Sequence, residues 1–152
     1  MANNENTALV PTCIVYLNGN RFSAEQEADL KEVVVTEQVD GPASFNITMS
    51  DPLRKWTDFD GFAEGTKIKV MLGYKDDVQE VINAEITGLS PRFQERADDM
   101  VNVVGHSELH RLNRGKKTRI FANKTYKEVM EQMATDCGMQ HDIDDIGSQQ
   151  YI

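Results

Sequence analysis

Short runs of β-branched and aromatic residues alternate with turn signals from residue 11 to about residue 107, and this alternation limits the fold more than any other feature. In the run "SFNITMS", Phe45, Ile47 and Met49 fall on one face of a strand, because successive side chains point to opposite faces. Turn residues separate such runs, as in Asn18-Gly19 and Asp40-Gly41-Pro42. Six or seven short strands of this kind predict a mainly β fold, an antiparallel β-barrel or sandwich.

The hydrophobic period then changes from two residues to that of a helix. Thr125 and Glu128 have the spacing of a capping box, and Gly138 stands where a helix commonly ends. The apolar positions between them recur at helical spacing and are Tyr126, Val129, Met130, Met133, Ala134 and Cys137. We therefore expect a minor α part, in which an amphipathic helix opens a second, incomplete domain.

These patterns divide the chain into three parts. We expect a flexible leader over residues 1–10, an antiparallel β-barrel over 11–110, and a basic connecting loop plus the amphipathic helix over 111–152. "DPLRKWTDFDGF" inside the barrel is interpreted as a short helical turn capped by Asp51. The residues expected in the barrel core are Phe45, Ile47, Val70, Ile86, Phe93 and Val103.

Charge is distributed unevenly along this acidic chain of 152 residues and net charge −9. Residues 1–105 carry 9 basic and 18 acidic side chains, whereas residues 106–152 carry 7 of each. The acid excess argues against a surface that binds nucleic acid or an anionic membrane as a whole. The sequence contains neither a secretory signal pattern nor an apolar run of membrane-spanning length, so we expect a protein made in the cytoplasm with two reduced cysteines, Cys13 and Cys137.

Candidate catalytic and metal-binding motifs are weak. "GHSELH" sets His106 and His110 four residues apart, but a zinc protease needs glutamate directly after the first histidine. The pairs Asp76-Asp77 and Asp98-Asp99 fall in expected turns, where aspartate is favoured for backbone reasons. A nucleophile elbow and a glycine-rich phosphate loop are both missing from the sequence. We expect no catalytic residues, no metal and no cofactor, and hence no enzyme.

A basic run precedes the expected helix. Its five residues are Arg111, Arg114, Lys116, Lys117 and Arg119. Three interpretations are open: an interface with acidic surface on a neighbouring subunit, a nucleic-acid site, or an ordinary solvated loop. A nucleic-acid site would normally add stacking aromatic residues, and the nearby Phe121 and Tyr126 suit a core instead. We favour the interface, where complementary charge improves association rate and specificity.

The stretch "LNRGKKTRIFANKTYKEVMEQMATDCGM" resembles the phage late control gene D protein family, which includes the hubs of contractile tails and of VgrG-type spikes. The upstream runs "FNITMSDP", "GTKIKVMLGY" and "AEITGLSPRF" resemble the first barrel of that family in the same order. The positions that carry the family pattern in the first stretch are Leu112, Arg114, Gly115, Phe121, Asn123, Thr125, Gly138 and Met139.

The resemblance implies a structural role for the chain, as the N-terminal part of a baseplate hub that joins the inner tube to the central spike. The implied partners are further copies of the chain, in a trimer or a ring of near six-fold symmetry, together with inner tube, spike and baseplate proteins in a virion or injection particle. Two alternatives are an inner tail-tube subunit with a similar barrel, and a nucleic-acid-binding module that uses the basic run. Hubs of this family are longer than this chain and carry a second barrel downstream.

Overall fold

The computed structural model of the chain describes residues 10–75, 77–93 and 98–144. The chain divides into two compact units between Ser107 and Glu108, which we call the sheet unit and the helical unit. Of the predicted leader, only Val10 is among the described residues. Asp76 and the segment 145–152 also lie outside them.

Among its described residues, the sheet unit contains seven strands, one short α-helix and two 3-10 helices, at Pro52–Arg54 and Asp60–Phe62. The strands are β1 (Pro11–Leu17), β2 (Asn20–Arg21), β3 (Leu30–Thr36), β4 (Ser44–Ser50), β5 (Lys67–Tyr74), β6 (Asp77–Arg92) and β7 (Met100–Ser107), and the helix is α1 (Ala24–Asp29). All pairings are antiparallel, in the order β2-β1-β5-β6-β7-β4-β3. The mainly β fold with a minor α part is therefore confirmed.

Strand β6 joins two parts of the sheet. Its first half pairs with β5, its second half pairs with β7, and the register shifts between Ile86 and Gly88. A bulge of this kind bends a strand and increases its twist. The terminal strands β2 and β3 form no ladder with each other in the described part of the chain, and α1 connects them in sequence.

One face of the sheet forms the core, as the alternation in β4 predicts. Phe45, Ile47 and Met49 are buried, while Asn46 and Thr48 between them are only partly buried. Five of the six residues expected in the core are buried, namely Phe45, Ile47, Val70, Ile86 and Val103.

Phe93 is a correction to the predicted core, since 55% of it is exposed. It lies one residue beyond β6, past Pro91, which pairs with Val101 near the end of the β6–β7 ladder. Its ring instead packs under the guanidinium group of Arg54, with 4.7 Å between Cζ and the ring centroid. Alternation along the strand no longer implies burial once the chain has left the sheet.

The loop between β4 and β5 differs in detail from the expected capped turn. A 3-10 turn does form at Pro52–Arg54, but the Asp51 side chain does not cap it. The buried Asp51 carboxylate instead accepts hydrogen bonds from the backbone N–H of Trp56 at 2.6 Å and of Thr57 at 3.0 Å. Because Leu53 has a φ of 65°, the expected helix is interrupted before an Asp51 cap can form.

The helical unit begins with a 3-10 helix at Glu108–Arg114 and continues into α2 (Tyr126–Asp136). Both hydrogen bonds of the predicted capping box are present: the Thr125 side chain accepts from the Glu128 N–H, and the Glu128 side chain accepts from the Thr125 N–H. Gly138 follows α2 with a φ of 66°, the left-handed conformation that ends many helices. Within residues 10–75, 77–93 and 98–144, no helix is both long and apolar enough to cross a bilayer.

Candidate interface site of the helical unit

A cavity of about 700 Å³ lies within the helical unit, and its lining is strongly basic. All five residues of the predicted interface line it, and we call them the basic cluster: Arg111, Arg114, Lys116, Lys117 and Arg119. One carboxylate, that of Asp136, is also part of the lining. The structure thus places the predicted residues around one concave surface, and their role as an interface stays a prediction.

Arg111 connects the basic cluster to the end of α2. Its Nη1 donates hydrogen bonds to the carbonyl oxygens of Cys137, at 3.2 Å, and Gly138, at 2.8 Å. The last turn of α2 contains no basic residue of its own, and carbonyl groups at a helix end carry a partial negative charge. Arg111 supplies the missing positive charge from outside the helix, so it stabilises one wall of the cavity.

Two further arginines of the basic cluster have partners within the helical unit. Arg119 forms an ion pair with Asp136, at the C-terminal end of α2. Arg114 donates from Nη2 to Nε2 of His110 at 2.9 Å, and because arginine can only donate, this nitrogen of His110 acts as the acceptor. These contacts orient both guanidinium groups.

Lys116 and Lys117 differ from the three arginines. Both are exposed, and neither forms an ion pair with another described residue. The apolar part of the cavity lining comprises Leu112, Phe121 and Met133, the last of which is 42% exposed. A cavity with unpaired ammonium groups and an apolar lining suits a ligand that carries carboxylates or phosphates beside an apolar group.

The arginines and the Asp136 carboxylate of the lining are poorly suited to acid–base chemistry. Arginine stays protonated in proteins, and the single carboxylate of Asp136 is engaged with Arg119. At the start of α2, the pKa of Glu128 is lowered, first because its carboxylate accepts a hydrogen bond from the Thr125 backbone and second because it accepts one from the Thr125 side chain. This carboxylate caps α2.

The histidines of "GHSELH" lie in different elements. His106 is in β7, where its Nδ1 lies 3.2 Å from the hydroxyl of Thr87, and His110 is in the following 3-10 helix. The two imidazoles therefore do not share a helix face, as a zinc site of this spacing requires. No group of three potential metal ligands occurs in the part of the chain that the structure describes.

Both cysteines are free thiols. Although Cys13 is exposed as a residue, partial desolvation of its sulfur is the main cause that raises its pKa, and the carboxylate of Glu27 adds to the effect. A raised pKa keeps the thiol protonated near neutral pH, and the protonated form is a poor nucleophile.

The sequence patterns did not identify a second charged surface, in the β4–β5 loop. We call residues 57–64 the acidic loop, because Asp58, Asp60 and Glu64 are exposed and form no ion pair with another described residue. Phe59 lies between the two aspartates and is 37% exposed. The available signal was the run "TDFDGFAE" itself, in which three carboxylates surround aromatic residues.

Two solved tail proteins share the fold of this chain. The 43 kDa tail protein of prophage MuSo2 from Shewanella oneidensis aligns with a TM-score of 0.61 at 13% identity, over 84% of this chain and 38% of that protein. The tail protein from Neisseria meningitidis MC58 aligns with a TM-score of 0.58 at 12% identity, over 84% of this chain and 34% of that protein. This chain therefore spans little more than a third of either protein, and at such low identity the likeness concerns the fold.

None of the curated proteins matches the sequence. A family match does exist, and it extends over residues 7–151, nearly the whole chain. The matched family is not the late control gene D protein family that the sequence motifs resemble. By this match, the chain belongs to the family described as the Alg8 N-terminal domain.

Proposed function

We propose that this chain is a structural component of a phage tail or a related injection assembly, and that its role is architectural. The observation that carries the proposal is the fold shared with two tail proteins, one of them from a prophage, over 84% of the chain. The chemistry of the basic cavity supports it further, because the arginines, lysines and apolar side chains in its lining suit the binding of an anionic partner surface.

Within such an assembly, we place the chain in the baseplate hub, between the inner tube and the central spike. This finer proposal rests on the resemblance to the late control gene D protein family from Leu112 to Met139. An inner tube subunit is the alternative. The helical unit favours the hub, because a tube subunit does not need a basic loop that leads into a capped helix.

Self-association follows from the proposed role. A hub with near six-fold symmetry needs several copies of the chain around one axis, as a trimer of double barrels or as a ring. The other proposed partners are the inner tube protein, the spike and further baseplate proteins in the virion or injection particle.

The test of the proposed function is the mass of the purified chain in solution, measured by light scattering over a wide range of concentrations. We expect a concentration-dependent trimer or hexamer at physiological salt. A single copy at every concentration would overturn the proposal that this chain contains ring-forming contacts.

A further inference from the structure

We propose that the basic cavity of the helical unit binds the acidic loop of a second copy of this chain. The proposal rests on the proposed function, since it names the partner surface through which copies associate. It is argued from the charge, exposure and apolar content of the two surfaces.

Among the described residues of the helical unit, the cavity has an excess of positive charge that is not neutralised. Five cationic side chains and one carboxylate line it among residues 108–144, and that carboxylate is paired with Arg119. Lys116 and Lys117 are exposed and have no ion pair among the described residues. An anionic ligand can therefore pair with the ammonium groups of Lys116 and Lys117 without breaking an ion pair among the described residues.

The acidic loop carries negative charge, and its carboxylates, like the two lysines of the cavity, form no ion pair with another described residue. Asp58, Asp60 and Glu64 are exposed and have no ion pair among the described residues. Elsewhere in the sheet unit, several exposed carboxylates are already engaged, as in the ion pairs of Glu27 with Arg21 and Glu25 with Lys55.

The acidic loop is also held in a defined conformation. The Asp51 carboxylate accepts from the Trp56 and Thr57 N–H groups, and the Trp56 indole N–H donates to Asp29 of α1 at 2.8 Å. At the far end, the Gly65 N–H donates to the carbonyl oxygen of Ile86 at 2.8 Å. A loop that is fixed at both ends loses little conformational entropy on binding.

Each of the two surfaces also offers a partly exposed apolar side chain that the other could cover. Phe59 is partly exposed between Asp58 and Asp60, and its ring packs edge-on against Phe62 with centroids 5.2 Å apart. The cavity offers Phe121 and the half-exposed Met133 beside its cations. An aromatic side chain flanked by carboxylates would bury its ring there while the carboxylates reach the lysines.

The geometry of such a contact determines the kind of assembly. The cavity and the acidic loop are different surfaces, so a single contact between two copies is heterologous and leaves one surface of each kind available for further copies. Repetition of a heterologous contact closes into a ring when the rotation permits. In a closed ring, each copy binds one neighbour through its cavity and the other neighbour through its acidic loop.

The experiment uses charge reversal in the full chain, followed by sedimentation velocity. The cavity variant is Lys116→Glu with Lys117→Glu, and the loop variant is Asp58→Lys with Asp60→Lys. We expect each alone to weaken self-association by at least about tenfold, because like charges then face each other. An equimolar mixture of the two should form mixed complexes, and a chain that carries all four changes should again self-associate.

Matched controls change the same amount of charge elsewhere. Lys124→Glu with Lys127→Glu alters two basic residues of the helical unit that do not line the cavity, and Glu37→Lys with Asp40→Lys alters two exposed acidic residues of the sheet unit. Both controls should associate like the wild type. If the second control weakens association and the loop variant does not, the 37–40 turn is the partner surface and the proposal is overturned.

Two further outcomes would overturn the inference. If the mixture of cavity and loop variants forms no mixed complex, the two surfaces do not meet between copies. If the wild-type chain binds a DNA duplex in a salt-dependent manner that the cavity variant abolishes, while its self-association stays unchanged, the cavity takes nucleic acid instead.

Failure of this inference can be told apart from failure of the proposed function. A wild-type chain that forms rings, together with variants that form the same rings, would leave the proposed function standing and remove the cavity–loop contact. A wild-type chain that never associates would remove both the cavity–loop contact and the ring-forming contacts of the proposed function.

Discussion

At the scale of single residues, Gly105 has almost no space for a side chain. It lies in β7 between two neighbouring strands, opposite Phe45 of β4 and Ile86 of β6. A Cβ atom at this position would lie 2.1 Å from the carbonyl oxygen of Glu85 and 2.4 Å from the ring of Phe45. The first neighbour is backbone and the second is a buried ring, so neither can move without disturbing the sheet.

We therefore predict that Gly105→Ala lowers the free energy of unfolding by about 1–3 kcal/mol, the usual cost of overpacking a core. Gly115→Ala is the matched control, because a Cβ atom there meets nothing within 4 Å. The control should leave stability unchanged or raise it slightly, since alanine reduces the conformational entropy of the unfolded chain. Urea denaturation of both variants measures the difference, and equal effects would contradict the packing argument.

Residues 53 and 54 have an unusual backbone. Leu53 and Arg54 have φ values of 65° and 60°, and Leu53 is 98% exposed. Two successive residues in the left-handed region cost on the order of 1–2 kcal/mol each. The surrounding contacts hold this conformation, because Arg54 lies over Phe93 and Asp51 binds the next two N–H groups beyond Lys55.

At the scale of elements, α2 depends on the ionised state of one capping residue. The pKa of Glu128 is lower in the folded chain than its ordinary value of 4.5, because the Thr125 N–H donates to its carboxylate. A carboxyl group with a lowered pKa favours the folded state when it is ionised. Its contribution is fully present above pH 4.5 and is lost as the pH falls through the lowered value.

We predict that the first turn of α2 loses helical structure on acidification below pH 4.5, and that Glu128→Gln removes this dependence. The backbone chemical shifts of residues 126–129 report the change, measured by NMR on the full chain from pH 7 to pH 3. Glu131→Gln is a suitable control, because that residue lies in α2 but does not cap it. Identical titrations of the wild type and Glu128→Gln would contradict the prediction.

Elements with a strong local signal could be predicted from the sequence. Strict alternation identified the buried face of β4, and the capping box with helical spacing identified α2. Helix α1 was missed because its six residues are too few to establish a hydrophobic period, although Ser23 and Gln26 form a capping box. Phe93 was misplaced because the pattern of β6 continues in the sequence past the end of the strand.

The candidate site was predictable only in part, for a similar reason. The basic cluster lies within residues 111–119, so its positive charge could be recognised in the sequence. The cavity also needs Met133 and Asp136 from α2, which the sequence does not place beside these residues. The role of Asp51 depends on the positive φ of Leu53, for which a leucine gives no sequence signal.

At the scale of the whole molecule, the chain combines an acidic sheet unit with a helical unit that contains a basic cavity. If charge between these surfaces contributes to assembly, the association constant should fall as salt rises, since exposed charges are screened over about 8 Å at physiological ionic strength. The apolar part of the contact, around Phe59 and Phe121, is less sensitive to salt.

Electron cryo-microscopy of the purified chain at physiological salt tests the central claim most directly, namely that this chain is a ring-forming part of a tail-type assembly. The account predicts class averages of closed annular particles with three or six copies, and their loss in the variant that combines Lys116→Glu with Lys117→Glu. Particles that contain one copy only, or open chains without closure, would contradict it.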